Sequence, residues 1–371
     1  MSKILFRKDR FPWLAIPAAC LILVGCTNVE HSTGDKQAWA SPGNFIVSYG
    51  PVVEPYSSSI HNSYYLYSPS GARLASSQGE GSWTPVVLTT REGSYGYFPD
   101  SINDLGSGEE KASFLKRSPI TFYGGSPEGN LAVGIINDSD SAKFHHSFVI
   151  VHGQSAFKGP VPTVPHSLAV GEEAALVVGD SHEGEHHKKD LVLVRSDGSI
   201  KTIDFPHGYD TSIPDFKYPH VNYLGDGLFE VLEGKTEGEV SYFRSFEVRL
   251  SDNDELLTQK ISYFSMELHK DFAVTRSLPF GENGFIDTNG KVFINHRDSK
   301  PPKLAGTIPE FHEKSFVSVN FSVEALFGIR RKDFIEIRRW DTPEEIIARL
   351  SYEKSACSDD ACGISSISRT S

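Results

Sequence analysis

"LVLVRSDGSIKTIDF", residues 191–205, is the stretch that decides how this chain folds. An unbroken apolar tetrad runs into Ser-Asp-Gly-Ser, and a second, alternating run leaves it. The alternating half has the period of two that sends successive side chains to opposite faces of a strand, and the apolar tetrad suits a strand covered on both faces. Asp-Gly between them accepts the positive φ of a tight hairpin turn. The unit is a β-hairpin.

Working outward, the same unit recurs as "YYLYSPSGARLAS" (64–76) and "GFIDTNGKVFIN" (284–295). Less regular copies are "FVIVHGQSAF" (148–157), "FEVRLSDNDELL" (246–257), "FIEIRRWDTPEEII" (334–347) and "DLGSGEEKASFL" (104–115). One marker per turn, at 71, 108, 153, 198, 253, 290 and 341, gives a mean spacing of 45 residues. That is the length of a four-stranded propeller blade. The expectation is an all-β chain forming a single β-propeller of seven four-stranded blades; six or eight also fit the length, and a pair of β-sandwiches is the rival architecture. Thr342-Pro343-Glu344-Glu345 fits a helix capping box, which makes "TPEEIIARL" either a short helix or an outer strand.

The N-terminus has a different character. Lys3, Arg7, Lys8 and Arg10, offset by Asp9, precede an apolar run from Phe11 to Val24 that is too short to span a bilayer comfortably. The run ends in Leu23-Val24-Gly25-Cys26, which resembles the lipobox of bacterial lipoproteins. That resemblance implies cleavage before Cys26, a diacylglyceryl group on its thiol and an acylated new amino terminus. Acyl chains of this kind contribute about 0.8 kcal/mol per buried CH₂, enough for lasting membrane attachment. The implied location is the cell membrane or outer membrane, with the domain outside the cytoplasm. The expected divisions are a signal peptide (1–25), a lipid-anchored flexible linker (26–43), the propeller (44–352) and a C-terminal tail (353–371). Within that tail, Cys357 and Cys362 are spaced for a small disulfide loop in an oxidising compartment.

The formal net charge is −12, and loss of residues 1–25, with four basic side chains and one acidic, leaves the remainder more acidic still. Such a surface disfavours nucleic acid and anionic headgroups as direct electrostatic partners.

If the marked turns join the third and fourth strands of each blade, the connections before each third strand open on the opposite face. Three consecutive units carry polar segments there: "NDSDSAKFHH" (137–146), "DSHEGEHHKK" (180–189) and "EGKTEGEVSY" (233–242). Loops on a rigid scaffold are where binding chemistry concentrates. Candidate metal ligands are His182, His186 and His187 with His145 and His146, since imidazole suits zinc and related transition metals. Candidate acid and base groups are Asp138, Asp140, Glu183, Glu237 and Glu239. His182-Glu183-Gly184-Glu185-His186 matches HExxH, the zinc-protease pattern, but Gly184 weakens the helix that the pattern requires and apolar strand-like runs flank it. No cofactor is expected, with zinc as the alternative. The expected function is a membrane-anchored binding or scaffold module for an envelope protein, glycan or small ligand; the alternative is a hydrolase or metal-dependent enzyme using the same loops.

Overall fold

The computed structural model of the chain describes residues 30–34, 36–51, 61–80, 85–98, 101–113, 120–126, 129–137, 146–153, 155–181, 189–203, 217–237, 240–250, 256–267, 272–278, 282–295, 302–320, 324–353 and 362–370. Among them, 29 strands build seven four-stranded antiparallel blades, with one strand left over. The extra strand is β1 (Glu30–Gly34). Blade 1 contains β2 (Phe45–Pro51), β3 (His61–Tyr67) and β4 (Arg73–Glu80). Blade 2 is β5 (Val87–Thr90), β6 (Gly93–Phe98), β7 (Ser101–Asp104) and β8 (Glu110–Ser113). Blade 3 is β9 (Ile120–Gly125), β10 (Leu131–Asn137), β11 (His146–His152) and β12 (Ser155–Pro160). Blade 4 is β13 (Thr163–Val170), β14 (Ala174–Ser181), β15 (Lys189–Arg195) and β16 (Ile200–Ile203).

Blade 5 is β17 (Lys217–Gly225), β18 (Leu228–Glu237), β19 (Val240–Leu250) and β20 (Leu256–Glu267). Blade 6 is β21 (Phe272–Ser277), β22 (Asn283–Asp287), β23 (Lys291–Asn295) and β24 (Lys303–Thr307). Blade 7 is β25 (Phe316–Asn320), β26 (Leu326–Arg330), β27 (Phe334–Arg339) and β28 (Ile346–Ser351). The last strand, β29 (Cys362–Arg369), returns to complete blade 1. The protein is a seven-bladed β-propeller.

The LVLV run shows why the blades pack. Leu191 and Leu193 of β15 point into a cluster with Val221, Phe229, Val231, Phe246 and Val248 of blade 5. Val192 and Val194, on the opposite face, join Leu131, Val133, Ile135, Phe148 and Ile150 of blade 3. A middle strand sandwiched between two blades needs apolar residues at every position, so the sequence is continuous rather than alternating. Fully burying one such side chain contributes about 1.5–3 kcal/mol.

The first and last of the described strands are both built into blade 1. β29 pairs antiparallel with β2, from Phe45↔Arg369 to Pro51↔Cys362, and parallel with β25 of blade 7 at Val319↔Ile367 and Asn320↔Ser368. It is thus the innermost strand of its blade and the seam of the ring. Thr370 N donates to Asn44 O (2.9 Å), Gly43 N donates to Thr370 O (3.0 Å), and the Thr370 hydroxyl donates to Ser41 O (2.6 Å). Arg369 pairs with Glu324 across the same seam. On the outer side, Tyr67 OH donates to Ser351 O at 3.0 Å and Glu353 N donates to Tyr49 OH at 3.1 Å.

These contacts correct two boundaries. Residues 362–369 are a core strand and not part of a tail. Residues 30–34 and 36–40 are not linker: β1 pairs with β4 (Glu30↔Gln78, Gly34↔Ala75), and Lys36–Ala40 forms a short 3-10 helix. Trp39 in that helix is 1% exposed, packed with Ile46, Tyr64, Leu66, Val87, Phe98 and Leu105. The Ser94 hydroxyl donates to Trp39 O at 2.7 Å.

The turn reading holds with one exception. Gly71, Gly108, Gly153, Gly198 and Gly290 all have positive φ. Six markers fall between the third and fourth strands of their blades, but 290 lies between β22 and β23, the second and third strands of blade 6. "TPEEIIARL" is a turn followed by β28, whose Ala348 and Leu350 are buried in the core between blades 7 and 1.

Candidate functional site

Strand direction sorts the connections onto two faces. Third-to-fourth strand turns share one face with the first-to-second connections. The opposite face, here the upper face, carries the second-to-third connections and the crossings between blades. The strand ends from which all three polar segments leave and return lie on the upper face, on blades 3, 4 and 5. Their bases are fixed by cross-strand pairs: Asn137↔His146 on blade 3 and Asp180↔Lys189 on blade 4. The third segment is not a loop through most of its length. β18 and β19 stay paired to Glu237↔Val240, and β20 follows β19 to Val240↔Glu267, so blade 5 rises as a three-stranded extension.

Below these segments lies a buried ionic group joining blades 4 and 5. Lys189, the first residue of β15, donates from Nζ to Glu233 Oε1 at 2.6 Å. Arg244, directly opposite Glu233 on the neighbouring strand, donates to Oε2 from Nη2 at 2.6 Å and from Nε at 3.2 Å. The Glu233 side chain has no solvent exposure, that of Arg244 2% and that of Lys189 11%. Charged hydrogen bonds in so dry a place resist reorientation, so they fix the start of β15 against the blade 5 extension.

Nearer the ring axis, at a bulge in β13, His166 Nε2 lies 2.9 Å from Asp180 Oδ2, both side chains about one-third exposed. The equivalent first strand of blade 5 carries His220, also beside a register shift. His220 reaches solvent but sits in the crowded inner ring, and desolvation lowers its pKa below the usual histidine value. The two strands are tied by Val221 N donating to Ser167 Oγ at 3.1 Å. Each histidine follows a proline, in "VPHSL" and "YPHVN", 54 residues apart. Sequence reading missed both, although the recurrence of Pro-His in consecutive first strands was the available signal.

Of the residues singled out beforehand, His146 is the first residue of β11, its carbonyl accepting from Val161 N at 2.9 Å. Glu237 is a strand residue of β18, which corrects its placement on a loop. Cys362 opens β29 opposite Pro51. Cys26, Asp138, Asp140, His145, His182, Glu183, His186, His187, Glu239 and Cys357 lie outside the described residues. Among the described residues no three His, Cys, Asp or Glu side chains are grouped to hold a metal ion, and no helix is long and apolar enough to cross a membrane. His166 and Asp180 supply two donors. Chemically, the described part of the upper face offers carboxylate and imidazole hydrogen-bonding groups on a rigid base.

No protein-family model matches the chain, and no curated protein does. Similar solved structures include a prolyl endopeptidase, at 11% identity and a TM-score of 0.44 over 85% of this chain; the chain spans 43% of that enzyme's length. The β-propeller domain of the Trilobed protease from Pyrococcus furiosus is 11% identical, with a TM-score of 0.41, over 83% of this chain and 86% of that one. The WD40 domain of SCAP from fission yeast is 9% identical, with a TM-score of 0.42, over 84% and 95%. At these identities the likeness extends to the propeller fold and no further.

Proposed function

We propose that this protein is an extracytoplasmic lipoprotein, anchored through acylated Cys26, whose propeller is a binding or scaffold module for an envelope protein, glycan or small ligand. The observation that carries this reading is the upper face: polar segments rooted on three consecutive blades, with the strands that root two of them joined by the Lys189–Glu233–Arg244 group. Polar segments carried on a rigid base suit recognition, and propellers as a class host binders readily. The lipobox resemblance supports the membrane attachment.

The experiment is expression in a bacterial host, fractionation of the envelope and mass analysis of the N-terminal peptide, beside Cys26→Ser. The reading expects a mature chain starting at diacylglyceryl- and acyl-modified Cys26, found with membranes, and a soluble Cys26→Ser protein. An unmodified N-terminus, or a Cys26→Ser protein still in the membrane fraction, refutes it.

A further inference from the structure

We infer that the outer edge of blade 1 is the membrane-facing side of the propeller, held against an anionic lipid surface with the rim of blades 3–5 directed away. This rests on the lipidation of Cys26 proposed above. Its basis is the position of β1. Glu30 is already paired to Gln78 on the outermost edge of blade 1, only four residues after Cys26. Four fully extended residues span at most about 14 Å. A domain of this size has a radius of gyration of about 20 Å and is roughly 50 Å across. The anchor is therefore short against the body it holds, and blade 1 cannot leave the surface.

Direction follows from register. β1 starts beside Gln78, near the end of β4, and finishes beside Ala75, near its beginning. The end of β4 lies on the upper face, so the anchor leaves from the upper rim of blade 1. A tether at that point permits two orientations: upper face flat on the bilayer, or ring upright on the blade 1 edge. Charge selects between them. Leaving out the buried Glu233 and Lys189, the three polar segments hold seven carboxylates against three lysines. An acidic face is repelled by an anionic leaflet over a Debye length of about 8 Å at physiological salt. The upright orientation relieves that repulsion and leaves the rim, on the far side of the ring, open to a partner.

The test uses the full acylated chain reconstituted into vesicles of phosphatidylethanolamine and phosphatidylglycerol carrying a headgroup acceptor dye. A donor dye on p-acetylphenylalanine replaces either Leu74, exposed on β4 of blade 1, or Leu257, exposed on β20 of blade 5. Expected is energy transfer several-fold higher from position 74 than from 257. A Gly-Ser insertion of 20 residues between Asn28 and Val29, with a root-mean-square reach of about 25 Å, should bring the two close to equality. Equal transfer without the insertion, in protein whose Cys26 is acylated, overturns the orientation alone. A difference that survives the insertion overturns the argument from tether length. An N-terminal peptide without acyl groups overturns the lipid reading and this inference together.

Discussion

Removing the carboxylate of Glu233 is the perturbation that most directly probes how blades 4 and 5 are joined beneath the rim. Glu233→Ala takes from Lys189 and Arg244 an acceptor that receives three charged hydrogen bonds, at 2.6, 2.6 and 3.2 Å. The cations then sit at side-chain exposures of 11% and 2%, too dry for water to replace the carboxylate fully. Removing one partner from a buried ion group typically costs about 3–5 kcal/mol, whereas replacing the whole group with apolar residues of similar volume is often neutral. Urea unfolding should therefore show a loss of about 3–5 kcal/mol for Glu233→Ala, with a far smaller loss for the triple replacement Lys189→Met, Glu233→Leu, Arg244→Leu. Arg244→Ala should cost less in the Glu233→Ala background than in the wild type, because the two act through one interaction. A loss below about 1 kcal/mol for Glu233→Ala, or strict additivity of the two alanine changes, would refute the reasoning.

Trp39→Ala should destabilise by about 3–5 kcal/mol, as expected for a large core side chain, and a neutral result in denaturant titration would return residues 36–40 to the linker. Gly71→Ala adds a Cβ at φ +87° that would lie 2.1 Å from Arg349 O, so it should lower the thermal midpoint more than Gly227→Ala, where φ is +69° but nothing stands within 4 Å. Burial pushes the Tyr95 phenol up to about 12, and its hydroxyl donates to Gly153 O on the next blade at 2.7 Å. The unfolded phenol ionises near its ordinary value of 10 and the folded one later, so the stabilisation is complete below pH 10 and is lost as pH rises toward about 12. Tyr95→Phe should show a shallower fall in denaturant midpoint over that window than the wild type. Metal analysis of the full chain purified without chelators should find zinc well below one equivalent; a full equivalent lost in His182→Ala, His186→Ala would move the rim to the enzyme class.

The fold was legible because its strongest signals are local. Middle strands covered on both sides read as unbroken apolar runs, as in Leu191–Val194, and turns needing positive φ draw glycine at 71, 108, 153 and 198. Blade 6 misled the count because its third-to-fourth connection is His-Arg-Asp-Ser-Lys-Pro-Pro, without glycine, while its preceding hairpin carries Asn289-Gly290. β29 was illegible for a different reason. "CGISSISR" has few apolar residues, and two of its serines find partners far away in sequence: Ser366 and Ser48 hydroxyls lie 3.1 Å apart, 318 residues apart in sequence, and the Ser365 hydroxyl donates to Pro85 O at 2.9 Å. No local window reveals such a pairing. Trp39 sat among small polar residues that read as linker, yet one indole filling the joint of blades 1 and 2 orders its segment.

The candidate site divides along the same line. Its face and its blades followed from counting hairpins, and the structure places the bases of all three segments where that count put them. The ionic group beneath was not legible, since Lys189, Glu233 and Arg244 look like ordinary surface charges until two blades bring them together. His166 and Asp180 meet only because a bulge in β13 re-aims one residue of the strand.

The most direct test of the binding role is photocrosslinking in the native envelope. p-Benzoylphenylalanine would be placed at Asn137, Ser181 or Glu237, the upper-face ends of β10, β14 and β18, and at Ser70, Ser107 or Asp197 on the lower. The account predicts discrete adducts from the upper positions and none from the lower. Adducts confined to the lower face, or formed equally from both, would contradict it.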